Sequence, residues 1–447
     1  MDDTLFELPP TEPDEHEEAP GVPRLQVPNR GQLELRSVDL DGLLGPDHRA
    51  RLVWAFVEGL DLGPLYARIK AIEGHPGRPP IDPAILVALW LYATLEGVGS
   101  ARALDRLCAE HDAYRWLAGG VGLNYHTLAA FRVEHADVLD RLLTESVAAL
   151  LADGLVTLQA VAQDGVRVRA AAGAASYRRR DRLERFLAQV EAQVRALKDE
   201  LDDDPAGSSR RVAAARERAA RERAERVRHA LAHLPEIEAT KKRSAKRGKP
   251  TPEARTSTTD PQARVMKMAD GGWRPAYNAQ LATDTASQVI VGLDVTPIGN
   301  DQGQLGPMVR QLRRRYGRAP RAWLADAGFL ANSEIEEFAA PGCGTTLYLP
   351  VRTPSEQSRD PYLPLPSDSA AVAAWRTRMS TPQAKEIYKD RAATAECVNA
   401  IARNRGLQRF RVRGQDKARA ILLWFALAHN LMRTVALRSA AATTAAA

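Results

Sequence analysis

Three acidic side chains stand where a fold could hold them rigidly. Asp164 lies within an apolar run of alternating period, and Asp326 ends another such run just before the turn residue Gly328. Glu396 lies in a stretch with helical spacing. Carboxylates from three different elements can hold two Mg²⁺ ions, because Mg²⁺ is a hard cation that prefers oxygen ligands. Two such ions activate the attacking oxygen and stabilise the leaving oxygen of a phosphodiester.

A single aspartate at a strand end has a simpler interpretation, because such side chains often cap a turn or form a surface salt bridge. Asp284, Asp294 and Asp301 also lie at or near predicted strand ends. The residue types alone therefore do not choose among these carboxylates.

Aromatic and cationic side chains accompany Glu396 at helical spacing. Tyr388 and Arg391 are one turn apart, and Glu396 and Arg403 are seven residues apart, so the members of each pair share a helix face. The pattern suits a carboxylate that faces a metal while its neighbours bind phosphates, and it also suits a salt-bridged helix surface. The sequence contains no GxSxG, Walker A, HExxH or strand-linked GxGxxG motif, so those chemistries are not indicated.

The elements that must position these residues alternate between strands and helices after residue 155. Apolar patterns of period two predict strands over residues 156–168, 275–282, 289–295, 321–325 and 345–349. Helical patterns lie near residues 304–316 and 333–340, and from about 382 to 440. Together they predict one mixed α/β (α+β) domain over residues 155–438.

A separate helical domain is predicted over residues 41–154. Asp82 followed by Pro83 is a helix start signal, and glycine-containing turns separate short helices. This pattern suits a helix-turn-helix-like bundle that binds DNA, with Thr127 and Arg132 on the contacting helix. An all-helical packing domain without a nucleic-acid role is the alternative.

A basic helical segment interrupts the predicted strands. Residues 176–250 contain 21 Lys and Arg against 13 Asp and Glu, a larger surplus than the net charge of +6 of the whole chain. Two long helical patterns around a central break predict a hairpin. We expect its dense basic end, which begins with Lys241, Lys242 and Arg243, to contact DNA phosphates or a partner subunit. The alternative is a solvated hairpin with a structural role only.

The composition bounds the class of protein. The chain has 447 residues, of which 45% are hydrophobic, enough for a core of ordinary size. Its three cysteines are dispersed, which favours a reducing cytoplasm over a disulfide scaffold. The apolar run at 84–95 is shorter than the roughly 20 residues that span a bilayer, so we expect no membrane segment. Residues 1–40 and 439–447 are predicted to be a disordered acidic leader and a disordered tail.

Several motifs together resemble the DDE transposases of bacterial insertion sequences, over roughly residues 45–435. The motifs that carry the acids are the first-aspartate strand at 163–166, the second-aspartate motif at 325–329 and the tyrosine–arginine–glutamate–lysine signature from Tyr388 to Arg403. The segments 257–264, 277–280 and 299–301 and the runs 404–407 and 424–432 also resemble the catalytic domain of these transposases. Residues 77–81 through 131–132 resemble their helical N-terminal domain.

The resemblance implies an RNase H-like mixed sheet flanked by helices, in which Asp164, Asp326 and Glu396 bind two Mg²⁺ ions that Mn²⁺ can replace. It implies hydrolysis at the transposon ends and then attack of the freed 3′-hydroxyl on target DNA. It also implies a homodimer on paired ends of double-stranded DNA, in a bacterial cytoplasm and associated with the nucleoid. A catalytically inactive DNA-binding protein of transposase descent and a nuclease that only hydrolyses DNA are the alternatives.

Two positions depart from the signature of these transposases. Its final lysine is Arg403 here, which keeps the charge but changes the geometry of a phosphate contact. The spacing from Arg391 to Glu396 is one residue longer than in the commonest form. Glu386 is the close alternative to Glu396 as the third acid.

Overall fold

A computed structural model describes Gly31 and residues 39–71, 79–203, 210–243, 253–352 and 359–446. The chain divides into two units, Met1–Asp39 and Leu40–Ala447, and every element described here belongs to the second. Nearly all of the predicted acidic leader and the basic residues 244–250 lie outside the described residues.

Short helices fill the first part of the second unit. Their starts follow local signals: the Asp82 side chain accepts a hydrogen bond from the Ala84 amide (2.8 Å), and Asn124 Oδ1 accepts one from the Thr127 amide (2.9 Å). The helices are α1 (Arg49–Glu58), α2 (Gly63–Tyr66), α3 (Pro83–Leu95), α4 (Ala101–Glu110), α5 (Asp112–Ala118), α6 (Tyr125–Glu134) and α7 (Ala136–Ala152).

A mixed sheet follows these helices. The described strands are β1 (Ala160–Arg169), β2 (Tyr177–Arg178), β3 (Thr256–Ser257), β4 (Arg264–Lys267), β5 (Trp273–Asp284), β6 (Ile290–Thr296), β7 (Ala322–Leu324) and β8 (Thr346–Tyr348). The large sheet has the order β4-β5-β1-β7-β8, and β6 also pairs with β5. Strand β5 is antiparallel to β1, β4 and β6, whereas β1, β7 and β8 run parallel. The short strands β2 and β3 pair separately.

The remaining helices flank the sheet or project from it. They are α8 (Arg180–Asp203), α9 (Arg210–Arg243), α10 (Leu305–Tyr316), α11 (Asn332–Ala339), α12 (Ala370–Ser380), α13 (Pro382–Asn404) and α14 (Gln415–Ala446). Helix α13 packs on β1 and α10 packs on β6. The predicted fold class is confirmed: a mixed sheet flanked by helices, interrupted by a helical hairpin and preceded by a helical region.

The hairpin insertion consists of α8 and α9, which pack against each other. Ion pairs Arg180–Glu238 (3.1 Å) and Glu191–Arg228 (2.7 Å) join the two helices in an antiparallel arrangement. An apolar cluster between them, which includes Leu183, is separate from the main core. The hairpin therefore has its own small interior.

The last helix, α14, joins the N-terminal helices to the sheet. The fully buried Trp424 donates a hydrogen bond to the Arg132 carbonyl (2.9 Å), and its ring lies 6.2 Å from that of Phe131. The Asn430 side chain accepts from the Ile290 amide and donates to its carbonyl, each at 2.8 Å. One hydrophobic core thus extends from the N-terminal helices through α14 to the sheet.

Helix α14 is also long and apolar enough to cross a membrane by length and composition alone. However, 67% of its most apolar stretch is buried inside the protein, as in a core helix. The helix continues through residues 439–446, where the sequence predicts a disordered tail. The structure differs there because this segment is rich in alanine, the residue with the highest helix propensity.

Candidate active site

The pairing of β1 with β7 brings two of the three predicted carboxylates together. In this parallel pair Ala160 lies beside Ala322 and Ala162 beside Leu324. Asp164 lies two positions further along β1, on the same face as Ala162 because side chains alternate with period two, and Asp326 follows the last residue of β7 by two positions. The sheet register therefore sets the two aspartates next to each other.

Arg391, on α13, lies between these aspartates. One of its terminal nitrogens is 3.8 Å from Asp164 Oδ2 and 3.8 Å from Asp326 Oδ2. Its Nε is buried and has no hydrogen-bond partner among the described residues. Asp326 is fixed from its other oxygen, which accepts a hydrogen bond from the Gly328 amide at 2.7 Å. The arginine thus partly balances two carboxylates that face each other.

The surroundings of Asp164 act strongly on its pKa. Burial raises its pKa to about 6, the Arg391 guanidinium lowers it, and the nearby carboxylates of Asp326 and Asp301 raise it. The charged form of Asp164 is therefore short of positive partners in the protein alone. A cation bound beside it would relieve this deficit.

Helix α13 also brings Asn399 to Asp164. The Asn399 Nδ2 donates a hydrogen bond to Asp164 Oδ2 at 2.7 Å. Sequence reasoning missed this residue, although its spacing of three from Glu396 places both on one side of the helix. Glu396 is therefore one helical turn from a residue that contacts Asp164.

The side chain of Glu396 is exposed, and it does not form a metal-binding group with Asp164 and Asp326 in the described structure. Within the described ranges, no group of three His, Cys, Asp or Glu side chains is close enough to hold a metal ion. Its predicted alternative, Glu386, forms an exposed ion pair with Lys389. The third carboxylate of the site stays a prediction.

A further acid, Asp301, lies beside the site. It is one of the acids near strand ends that residue type alone neither selects nor excludes as a metal ligand. Its Oδ1 accepts hydrogen bonds from Asn278 and Gln280, both at 2.7 Å, and its Oδ2 lies 3.8 Å from Arg167. A Cβ on Gly165 would lie 2.3 Å from Asp301 Oδ1, so only glycine fits after Asp164. Asp301 thus fastens the loop after β6 onto β5 and β1.

The predicted DNA-contacting residues of α13 lie at different distances from the aspartates. Tyr388 is half-buried, and burial raises the pKa of its hydroxyl, as do Asp326 and Asp164, against the effect of Arg391. Arg403 is exposed near the end of the helix, on the side that carries Asn399 and Glu396. Arg391 contacts the aspartates rather than facing solvent.

The end of the hairpin lies beside a cavity of about 760 Å³. Lys241 lines this cavity and donates a hydrogen bond to the Glu253 carbonyl (2.8 Å), while Lys242 and Arg243 are exposed. Arg167, which faces Asp301, lines the same cavity, and so does Trp273, which is 67% exposed. A surface with basic and aromatic side chains therefore extends from the hairpin to Arg167, which lies 3.8 Å from Asp301.

Two predicted DNA contacts in the N-terminal helices have local roles. The Thr127 amide and hydroxyl both bond to Asn124 Oδ1, at 2.9 and 3.3 Å, and so begin α6. The Arg132 guanidinium points inward, lies 4.4 Å from the centre of the Trp90 ring and donates to the Gly99 carbonyl at 2.6 Å. Neither side chain extends freely into solvent.

Two family models match the chain. Residues 238–431 match the transposase DDE domain, a range that contains Asp326 and Glu396 and begins after Asp164. Residues 38–134 match a transposase domain of the DUF772 family. The two matches together are consistent with a DDE transposase of an insertion sequence. No curated protein and no solved structure matches the chain.

Transposases of this family bind DNA and generally use divalent metal ions. The residues present fit such an ion. Mg²⁺ is usually bound by one or two carboxylates together with substrate phosphates rather than by a cage of protein ligands. Asp164 and Asp326 supply two carboxylates that already share one cationic partner, Arg391.

Proposed function

We propose that this transposase cleaves the ends of its transposon and joins the freed 3′-hydroxyl to target DNA in a Mg²⁺-dependent reaction. Asp164, Asp326 and Glu396 would be the metal-binding carboxylates. The observation that carries the proposal is the shared contact of Asp164 and Asp326 with Arg391, one nitrogen of which lies 3.8 Å from an oxygen of each carboxylate. A bound pair of ions would activate the attacking oxygen and stabilise the leaving oxygen.

The surrounding residues hold these carboxylates in place. Asn399 fixes Asp164 Oδ2 and the Gly328 amide fixes Asp326 Oδ1, so each aspartate keeps one oriented oxygen. Arg391 stabilises both negative charges while the site is free of DNA, and its forked guanidinium suits a phosphate when DNA is bound. Glu396 completes the set from α13, one turn from Asn399.

The DNA would reach the carboxylates along the basic surface that contains the end of the hairpin. Lys241 lies at one end of this surface and is followed by the exposed Lys242 and Arg243, and Arg167 lies next to Asp301 at the other end. Contacts of this kind bind phosphates with little sequence preference. We further propose that the N-terminal helices recognise the ends and that two copies of the chain bind the two ends in the bacterial nucleoid.

The test is strand cleavage and joining on a duplex that carries the ends flanking the gene. Purified wild type is incubated with Mg²⁺ or Mn²⁺ beside Asp326→Asn, and the products are resolved on a denaturing gel. We expect the wild type to cleave and join, and the variant to bind the duplex without cutting it.

The other outcomes decide between the alternatives. Cleavage without joined products would identify a nuclease that only hydrolyses DNA. Equal binding with no cutting by either protein in either metal would contradict the enzymatic proposal, and a DNA-binding protein of transposase descent would then be the better description.

A further inference from the structure

A small cavity of about 80 Å³ lies between the N-terminal helices and the segment that joins α13 to α14. Four arginines line it and none of its lining residues is acidic. A water molecule needs roughly 10–15 Å³ of such space, so the cavity can hold a small polyatomic ion. The four are Arg132, Arg405, Arg409 and Arg411.

Two of these arginines each have a buried nitrogen that donates no hydrogen bond among the described residues. Arg132 Nε and Arg405 Nη1 are buried and have no hydrogen-bond partner in the described part of the chain. The pKa of Arg132 is lowered to about 10, first by burial and then by the charge of Arg411. A buried cation next to a second cation is costly unless an anion compensates it.

Among the residues that the structure describes, the lining of the cavity includes no carboxylate that could supply that compensation. Glu96 is the acid that acts on Arg405, and it is already paired with Arg49 at 2.8 Å. Arg409 and Arg411 are exposed, so they stand at the mouth of the cavity while Arg132 and Arg405 form its interior.

Glycines allow the two walls of the cavity, the segment 97–99 and the segment that joins α13 to α14, to approach closely. Gly97 and Gly406 both have positive φ, and a Cβ on Gly406 would lie 3.4 Å from the Gly97 carbonyl oxygen. A Cβ on Gly99 would lie 3.7 Å from Arg411 and 3.8 Å from Arg132. Three segments distant in sequence thus converge to place arginine donors around one point.

We propose that this arginine cavity is a binding site for a single phosphate group. Guanidinium groups offer forked donors that match phosphate oxygens and form strong charge-assisted hydrogen bonds. The phosphate comes either from a DNA backbone or from free phosphate. The site is apart from the carboxylates and needs no metal, so the proposal goes beyond the proposed function.

Two measurements on the full-length protein in EDTA test the site. The first is the melting temperature against inorganic phosphate, with sodium chloride at equal ionic strength as the reference. The second is the affinity for a duplex oligonucleotide against salt concentration. Arg411→Ala and Arg409→Ala remove exposed donors at the mouth, and Arg321→Ala removes an exposed arginine at the far end of β7 as the control.

If the phosphate belongs to DNA, Arg411→Ala reduces the slope of log affinity against log salt concentration by about 0.9 for the lost phosphate contact. It also reduces the affinity for the duplex about tenfold. Arg321→Ala leaves both unchanged. If free phosphate is the ligand, inorganic phosphate raises the melting temperature of the wild type but less that of Arg411→Ala, and the salt dependence is the same for all proteins.

Either result supports the site and identifies the source. The proposal is overturned if phosphate has no effect beyond chloride and the salt dependence does not change. It is also overturned if Arg321→Ala lowers the salt dependence as much as Arg411→Ala, because the effect would then be one of total charge. Neither readout depends on cleavage, so failure here leaves the proposed function untouched.

Discussion

At the scale of single residues, the site is organised by contacts between α13 and β1. Arg391 and Asn399 both reach Asp164 Oδ2, from positions two turns apart on the same helix. Their spacing fixes how α13 lies over the strand. The position of Glu396, between them in sequence, follows from that placement.

The assignment of the third acid can be tested with a matched pair of variants. We expect Glu396→Gln to reduce cleavage by more than the roughly 100-fold that loss of an outer metal contact costs. Glu386→Gln should cleave like the wild type, because Glu386 is paired with Lys389 at the surface. The measurement is the rate of strand cleavage at fixed Mg²⁺, with duplex binding as the control for folding. Equal rates for the two variants would contradict the role of Glu396.

The strands near Asp164 and Asp326 could be predicted from sequence, because alternating apolar residues and a turn glycine mark strands and their ends, but only the family resemblance selected these two acids. The partners of these aspartates could not. Asn399 contacts Asp164 across 235 positions, and Asp301 meets Gln280 only because β5 pairs with β6 and β1 in one register. Contacts of this kind depend on how the elements pack, which single-residue patterns do not encode.

At the scale of elements, the hairpin combines its own interior with a basic end next to the sheet. Its helices were predictable from their spacing and charge. Their full extent was not, since α9 continues to Arg243 through Pro235 and its last turn packs beside the sheet. Lys241 there lines the same cavity as Arg167, while Lys242 and Arg243 are exposed.

The location of the basic end predicts where along the hairpin DNA binds. Replacing Lys242 and Arg243 together by Gln should reduce the slope of log affinity against log salt concentration by up to about 1.8, since each lost phosphate contact removes about 0.9 from that slope. Replacing the exposed Arg195 and Lys198 on α8 by Gln is the matched control. The measurement is duplex affinity at several salt concentrations. Equal effects of the two pairs would show that the hairpin binds along its whole length.

The packing of α14 on the sheet predicts a pH dependence of stability. His429 Nε2 lies 2.8 Å from the Gln288 carbonyl oxygen, and burial lowers the pKa of His429 to about 4. Between about pH 6.5 and 4 the unfolded chain binds a proton at this residue that the folded chain does not. The free energy of unfolding therefore falls as the pH falls through this range, by up to about 1.4 kcal/mol per pH unit.

Urea unfolding between pH 7 and 4.5 measures this effect. We expect His429→Gln to lose part of the acid sensitivity, because it has no group that titrates there. His229→Gln changes an exposed histidine of the hairpin and should keep the pH dependence of the wild type. Identical pH profiles for His429→Gln and the wild type would contradict the assignment.

At the scale of the whole molecule, the N-terminal helices and the sheet lie in one compact unit, Leu40–Ala447. The division into a helical domain and an α/β domain stays a prediction, and patterns along the chain do not reveal which helix covers which surface. In the structure, helix α14 packs against α3, α6 and α7 and also against β6. Both regions therefore depend on the same buried helix.

This shared helix predicts a single unfolding transition. Trp424→Phe removes the hydrogen bond to the Arg132 carbonyl and leaves that carbonyl without its partner, at a cost of about 1–3 kcal/mol. We expect calorimetry to show one transition, shifted to lower temperature for the whole protein. Trp273→Phe, at a largely exposed position, should shift it little. Two separate transitions, only one of which moves, would contradict this prediction.

The dependence on α14 has a consequence during synthesis. Arg132 and Trp424 are separated by 292 positions. At about 5–20 residues per second, a ribosome needs roughly 15–60 seconds to translate that interval. The N-terminal helices are therefore synthesised this long before α14, the helix that packs against them. A chain cut short before α14 would therefore lack the helix against which α3, α6 and α7 pack, and with it the hydrogen bond from Trp424 to the Arg132 carbonyl.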